Sequence, residues 1–121
     1  MISQRHIPAP PPSVANLTQL SGQLLERGAL RRTPAGIPVL EFLLTHRSTQ
    51  LEAEVERQVE CEMSCIAAGT PAQALNAANP GDRLHLTGFL ASRSLKRRAP
   101  VLHVSKIEFI EGTENGFQTQ G

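Results

Sequence analysis

Apolar and polar residues alternate almost without interruption from Leu51 to Cys65. Leu51, Ala53, Val55, Val59, Cys61, Met63 and Cys65 stand against Glu52, Glu54, Glu56, Gln58, Glu60, Glu62 and Ser64, with Arg57 the single exception. A period of two predicts a half-buried β-strand with a strongly acidic polar face, although its first residues can equally belong to the preceding connection. The same period recurs at Leu84, Leu86, Gly88 and Leu90, which alternate with Arg83, His85, Thr87 and Phe89, and again over Val101 to Ile110. Val39 to Arg47 reads as a further strand, with Leu40, Phe42 and Leu44 on its core side. The segment after Asn16 places Leu17, Leu20, Leu24 and Leu25 around Gly22, a spacing that fits a helix or a bulged strand. Thr18 and Gly22 weaken a helix, and a glycine within a strand suits a bulge or sharp bend, so a strand is expected.

Between these runs the punctuation is clear. Pro34, Gly36 and Pro38 exclude a helix and put Arg31 and Arg32 on a turn. After Gly69, Thr70 is a candidate N-cap and Pro71 a first helical residue of a short Ala-rich helix that Asn79-Pro80-Gly81-Asp82 closes. The expected fold is all-β, a five-stranded OB-fold Greek-key barrel with a short helix between strands 3 and 4. Four of the nine prolines fall at Pro8, Pro10, Pro11 and Pro12. Residues 1–15 are therefore expected to be a flexible Pro-rich arm, 16–112 the OB-fold domain and 113–121 a flexible tail.

Composition narrows the core and the compartment. The chain has no Trp or Tyr and four Phe, so the core must be aliphatic. No run approaches the length of a membrane span and the start lacks the apolar stretch of a signal peptide, which points to a cytoplasmic protein. Cys61 and Cys65 are read as small buried hydrophobes, because same-strand neighbours make a poor disulfide and no His or Cys spacing suits zinc. No metal or cofactor is expected. His46, His85 and His103 fall in different strands without a nucleophile or carboxylate in a catalytic pattern, so no catalytic residue is expected either.

Charge is distributed unevenly about a net of +1. Four of the twelve cations, Arg93, Lys96, Arg97 and Arg98, occupy one six-residue stretch between the last two strands. In an OB-fold the connections between strands 1 and 2 and strands 4 and 5 commonly grip oligonucleotides. Arg31 and Arg32 sit in the first and the Arg93 to Arg98 cluster in the second. Four phosphate contacts on a single strand would give a salt slope of about −3. The plainer reading of the cluster is a solvated loop. Phe89 is either an exposed platform on which bases stack or a side chain packed at a dimer interface or under a loop.

A series of short motifs adds to this reading. LSG (Leu20 to Gly22), GIP (Gly36 to Pro38), HRS (His46 to Ser48), RQ (Arg57 and Gln58), GF (Gly88 and Phe89), VLH (Val101 to His103) and IE (Ile107 and Glu108) follow one another in order. In this order and spacing they resemble the primosomal replication protein N (PriB) family, bacterial replication-restart factors similar to single-stranded-DNA-binding proteins. The resemblance runs from about Asn16 to Gly112. It implies a homodimer of OB-folds that binds single-stranded DNA without catalysis and contacts the primosomal restart helicase and the helicase-loading protein. It also implies that Arg47, Arg57 and the cations of the strand 4 to 5 loop face DNA. Some relatives carry an exposed aromatic near the position of Glu60, where Val55 and Glu60 offer no ring. The alternative is accordingly an OB-fold protein-interaction adaptor of the primosome with marginal DNA binding.

Overall fold

Each period-two run forms a strand in the computed structural model, which describes residues 14–111. The elements in order are β1 (Thr18–Arg27), β2 (Arg31–Arg32), β3 (Pro38–Glu52), β4 (Val55–Ala68), α1 (Thr70–Leu75), β5 (Arg83–Ser92) and β6 (Pro100–Phe109). Most of the arm expected over residues 1–15, and the tail expected over 113–121, lie outside the described residues.

Arg31 and Arg32 are not on a free turn, as the prolines had suggested. They pair with Val39 and Pro38 in a two-residue ladder. The turn is Thr33 to Ile37, closed by the Thr33 N–H donating to the Ile37 carbonyl at 2.9 Å and the Gly36 N–H donating to the Thr33 carbonyl at 2.8 Å. This small strand raises the count to six, so the helix falls between β4 and β5, the third and fourth of the five long strands.

The long strands close into a barrel in the order β1-β5-β6-β4-β3, with β1 returning to β3. β1 pairs with β5 over Thr18 to Gln23 and with β3 from Gln23 to Arg27. Gly22 stands at that handover, where a Cβ would run into the Thr45 carbonyl oxygen. A side chain there would push β1 and β3 apart and open the barrel. The register shift itself comes slightly later, between Leu24 and Glu26. Gly88 serves the opposite corner, where a Cβ would strike the His103 carbonyl beside a second register shift. Closure is completed by a short parallel pairing of β4 with β6 at Cys65–Leu102, Ile66–His103 and Ala67–Val104.

The interior is aliphatic, as the composition requires. Leu24, Leu40, Leu44, Cys65, Leu84, Leu86 and Leu102 are buried around Phe42, the core residue predicted from its alternation. α1 covers one end of the barrel with Ala72 and Leu75. Its first helical residue is Thr70 and its N-cap is Gly69, at φ 77° and without a side-chain cap bond, so Thr70 is not the cap its sequence suggested. The Gly69 carbonyl accepts from the Ala72 and Gln73 N–H groups and starts the helix.

β3 and β4 overrun the barrel. Beyond Thr45 on β3 and before Cys65 on β4 they pair only with each other, forming a two-stranded ribbon down to Glu52 and Val55. Its turn is Ala53-Glu54, both in the left-handed region at φ 52° and 68°. That is the geometry of a two-residue hairpin turn, built without the glycine or asparagine that usually marks it. The apparently continuous alternation from Leu51 therefore crosses a turn. Glu52 pairs with Val55 and faces the core side, whereas Leu51 pairs with Glu56 on the outer side. The acidic residues are split as well: Glu56, Glu60 and Glu62 line the outer face, Glu54 is in the turn and Glu52 is on the inner face. Cys61 keeps the inward parity of Cys65 but lies beyond the barrel and is exposed, contrary to its expected burial. Cys65 is buried, which pushes its thiol up to about 12.

Candidate nucleic-acid interface

One row of paired residues crosses four strands on the outside of the barrel. Glu41 on β3 pairs with Ile66 on β4, Ile66 with His103 on β6, and His103 with Phe89 on β5. Paired residues share a face, so the row runs for roughly 14 Å at ordinary strand spacing. Phe89 marks one end. The residue is 45% exposed, and its ring stacks on His103 with centroids 5.2 Å apart and planes 8° from parallel. It is neither wholly free nor packed under a loop. His103 Nε2 is buried without a hydrogen-bond partner among the described residues.

Glu41 marks the other end, and there the two basic connections meet. Arg31 approaches Glu41 Oε2 at 2.6 Å and Arg93 approaches Oε1 at 2.7 Å. Partial burial by itself would raise the Glu41 pKa, but the guanidinium groups of Arg93 and Arg31 outweigh it and hold the carboxyl below the usual carboxylate value. The structure thus brings together cations that are more than sixty positions apart in the chain. Arg93 is the less exposed partner, at 23% of its side chain against 61% for Arg31.

The other cations of the second loop make no ion pair with Glu41. The loop's base is closed by the Ser92 hydroxyl donating to the Arg98 carbonyl at 2.8 Å, and its tip by the Arg97 N–H donating to the Ser94 hydroxyl at 3.0 Å. Lys96 and Arg97 have no side-chain hydrogen bond or ion pair among the described residues, and Arg98 reaches only the Leu95 carbonyl at 3.4 Å. Arg32 donates to the Gly36 carbonyl at 3.0 Å. Three loop cations are therefore available to a polyanion, and Arg93 is committed to the barrel wall.

Arg47 and Arg57 are not part of this group. Arg47 lies on the outer face of the ribbon, 3.2 Å from Glu60, while Arg57 lies on the inner face and is paired with Glu52. The two-residue turn puts them on opposite sides, so no single flat surface presents both.

Glu41 escaped the sequence reading. Its one signal is an acidic residue at an outward position between the core residues Leu40 and Phe42. The histidines have structural partners. His46 Nδ1 donates to the Ser21 carbonyl at 2.6 Å and Nε2 accepts from the Ser48 hydroxyl at 2.7 Å, while His85 Nδ1 meets the Ser21 hydroxyl at 2.7 Å. Among the described residues no group of three His, Cys, Asp or Glu side chains is placed to hold a metal, and no helix is long and apolar enough to cross a membrane.

Comparison with known proteins places this geometry. Residues 16–106 match a group described as "another single-strand binding protein family". The replication restart protein PriB of Bordetella pertussis is 39% identical over 98 residues, covering 81% of this chain and 92% of that one. PriB of Nitrosomonas europaea is 34% identical over 107 residues, covering 86% and 99%. The solved structure of PriB from Ralstonia solanacearum superposes with a TM-score of 0.71 at 38% identity, over 79% of this chain and 99% of that one. The single-stranded DNA binding protein of Thermus aquaticus, 23% identical with a TM-score of 0.67 over 82% of this chain and 52% of that one, shares the fold. With an OB-fold barrel, a family match over residues 16–106 and relatives aligned over nearly their whole length, the chain belongs to the PriB replication restart family of single-strand binding proteins.

Proposed function

We propose that this protein is a non-catalytic, single-stranded-DNA-binding accessory of the bacterial replication-restart primosome. It acts in the cytoplasm as a homodimer and bridges DNA to the restart helicase and the helicase-loading protein. One observation carries the DNA reading: among the described residues Lys96, Arg97 and Arg98 pair with no acid, and their loop starts at the junction where Arg31 and Arg93 converge on Glu41. A Lys- and Arg-rich loop of this kind contacts phosphate and gives salt-sensitive binding with little sequence preference. Phe89 adds a ring surface to the same row. Because Arg93 is held by Glu41, the contact number falls from four to three and the expected salt slope is about −2.

The test is fluorescence anisotropy of a labelled oligonucleotide across a salt series, for the native protein and for Lys96, Arg97 and Arg98 all changed to Ala. Binding that weakens at least tenfold in the triple variant and loses most of its salt dependence supports the DNA reading. The adaptor reading has its own observation, since Arg47 and Arg57 are both tied to glutamates and the ribbon carries no aromatic residue. Undetectable binding at moderate salt, or binding unchanged in the triple variant, favours the adaptor.

A further inference from the structure

Glu41 is a carboxylate placed within a surface otherwise equipped for a polyanion. If that surface worked by charge alone, removing the acid would improve it. The geometry gives it another task. Each of its oxygens takes one guanidinium, Oε2 from Arg31 and Oε1 from Arg93, and each arginine is engaged through a single nitrogen. Arg31 is already fixed in β2 by its ladder to Val39, and Arg93 is the first residue after β5. At its far end the second loop is fixed again, through the Ser92 hydroxyl and the Arg98 carbonyl. The loop that carries Lys96, Arg97 and Arg98 is thus pinned at both roots, and one of the pins is Glu41. Loops ordered before binding do not have to be ordered by the ligand.

We propose that Glu41 is a positioning residue for single-stranded DNA, joining the two basic connections through Arg31 and Arg93 so that their spacing, more than their charge, sets the grip. The proposal rests on the DNA reading above. A double-mutant cycle in the full-length protein separates spacing from charge, because E41Q adds one positive charge, R93Q removes one, and the pair restores the native net charge. Oligonucleotide affinity is measured by anisotropy for all four proteins at one salt concentration, with thermal melts confirming that each is folded.

If Glu41 positions, E41Q and R93Q each weaken binding roughly 3- to 10-fold and the double variant is no worse than either, the non-additivity expected of contacting residues. If only charge matters, E41Q tightens binding, R93Q weakens it and the double variant returns to the native value, which overturns the proposal. Should E41Q not fold, E41D keeps the charge but shortens the reach. Weaker binding by E41D supports the latch and unchanged binding overturns it. Native protein that binds no oligonucleotide overturns the DNA reading and this proposal together, whereas native binding that E41Q tightens overturns the latch alone.

Discussion

The inner half and the outer half of the β3–β4 hairpin share strands, register and alternation, yet only one of them makes a core. Within the barrel Leu40, Leu44 and Cys65 are fully buried, while Val55, further along the same inward face, is 65% exposed. On β4 the inward alternation does not separate the two halves, but on β3 it does, where Leu40, Phe42 and Leu44 give way to His46, Ser48, Gln50 and Glu52. The neighbours differ too: β1 and β6 flank the first half and α1 covers it, whereas the second is held only at its base, where His46 bonds to the Ser21 carbonyl and Met63 packs on the core. A strand face is buried only where another layer meets it. The barrel half holds the fold together, and the ribbon is a projection whose ion pairs are exposed and contribute little each.

Three measurements test that contrast. Cys61 and Cys65 share one strand face, but only Cys61 is exposed, and burial holds the Cys65 thiol in its protonated form. In a thiol-reagent assay Cys61 should react at once, and Cys65 should be slower by a factor of roughly 10³ or more, because it waits for opening of the barrel. Two equally fast thiols would mean that the barrel half is as open as the ribbon. Next, Leu44→Ala should cost about 2–5 kcal/mol in urea unfolding, while Val59→Ala, on the same face of the ribbon, should stay near 0.5 kcal/mol. Similar losses at both sites would show that the ribbon is packed against something. The smallest effect belongs to the turn. Replacing Ala53-Glu54 by Asn-Gly suits the left-handed conformation better and should raise amide-exchange protection across the ribbon by about 1 kcal/mol, with little change in global stability. A large global gain would tie the ribbon to the barrel's cooperative unit.

Much of the fold could be read directly. Five long strands, the short helix, the aliphatic core and the burial of Phe42 all follow from period-two runs, proline and glycine punctuation and the near absence of aromatics. The failures have specific causes. Ala53-Glu54 forms a left-handed turn without the residues that announce one, so the alternation from Leu51 to Cys65 runs on across it and leaves open where the connection ends and the strand begins. That one hidden turn reversed parity. It put Leu51 and Val55 on opposite faces, divided the acidic residues, and separated Arg47 from Arg57. Cys61 was misplaced for a related reason, since alternation assigns a side to a residue but does not say where the barrel ends.

The placement of the cations was legible in the same partial way. Both basic segments stand between strand patterns in the sequence. The difference between Arg93, which is committed to Glu41, and Lys96, Arg97 and Arg98, which remain available, could not be read. Glu41 itself looked like an ordinary outward residue of a buried strand.

Local periodicity and local charge are enough to place the five long strands, the face each residue takes within an uninterrupted strand, and the two segments between them that carry the cations, but not the short β2. Tertiary structure alone decided how far burial extends along the hairpin and which charges neutralise one another. Closure of β1 onto β3 and of β4 onto β6 ends the core at Thr45 and Cys65, and the same closure brings Arg93 to the carboxylate that Arg31 reaches through the local β2–β3 pairing. Burial and ion pairing are properties of distances between segments remote in the chain, and no local pattern encodes those distances.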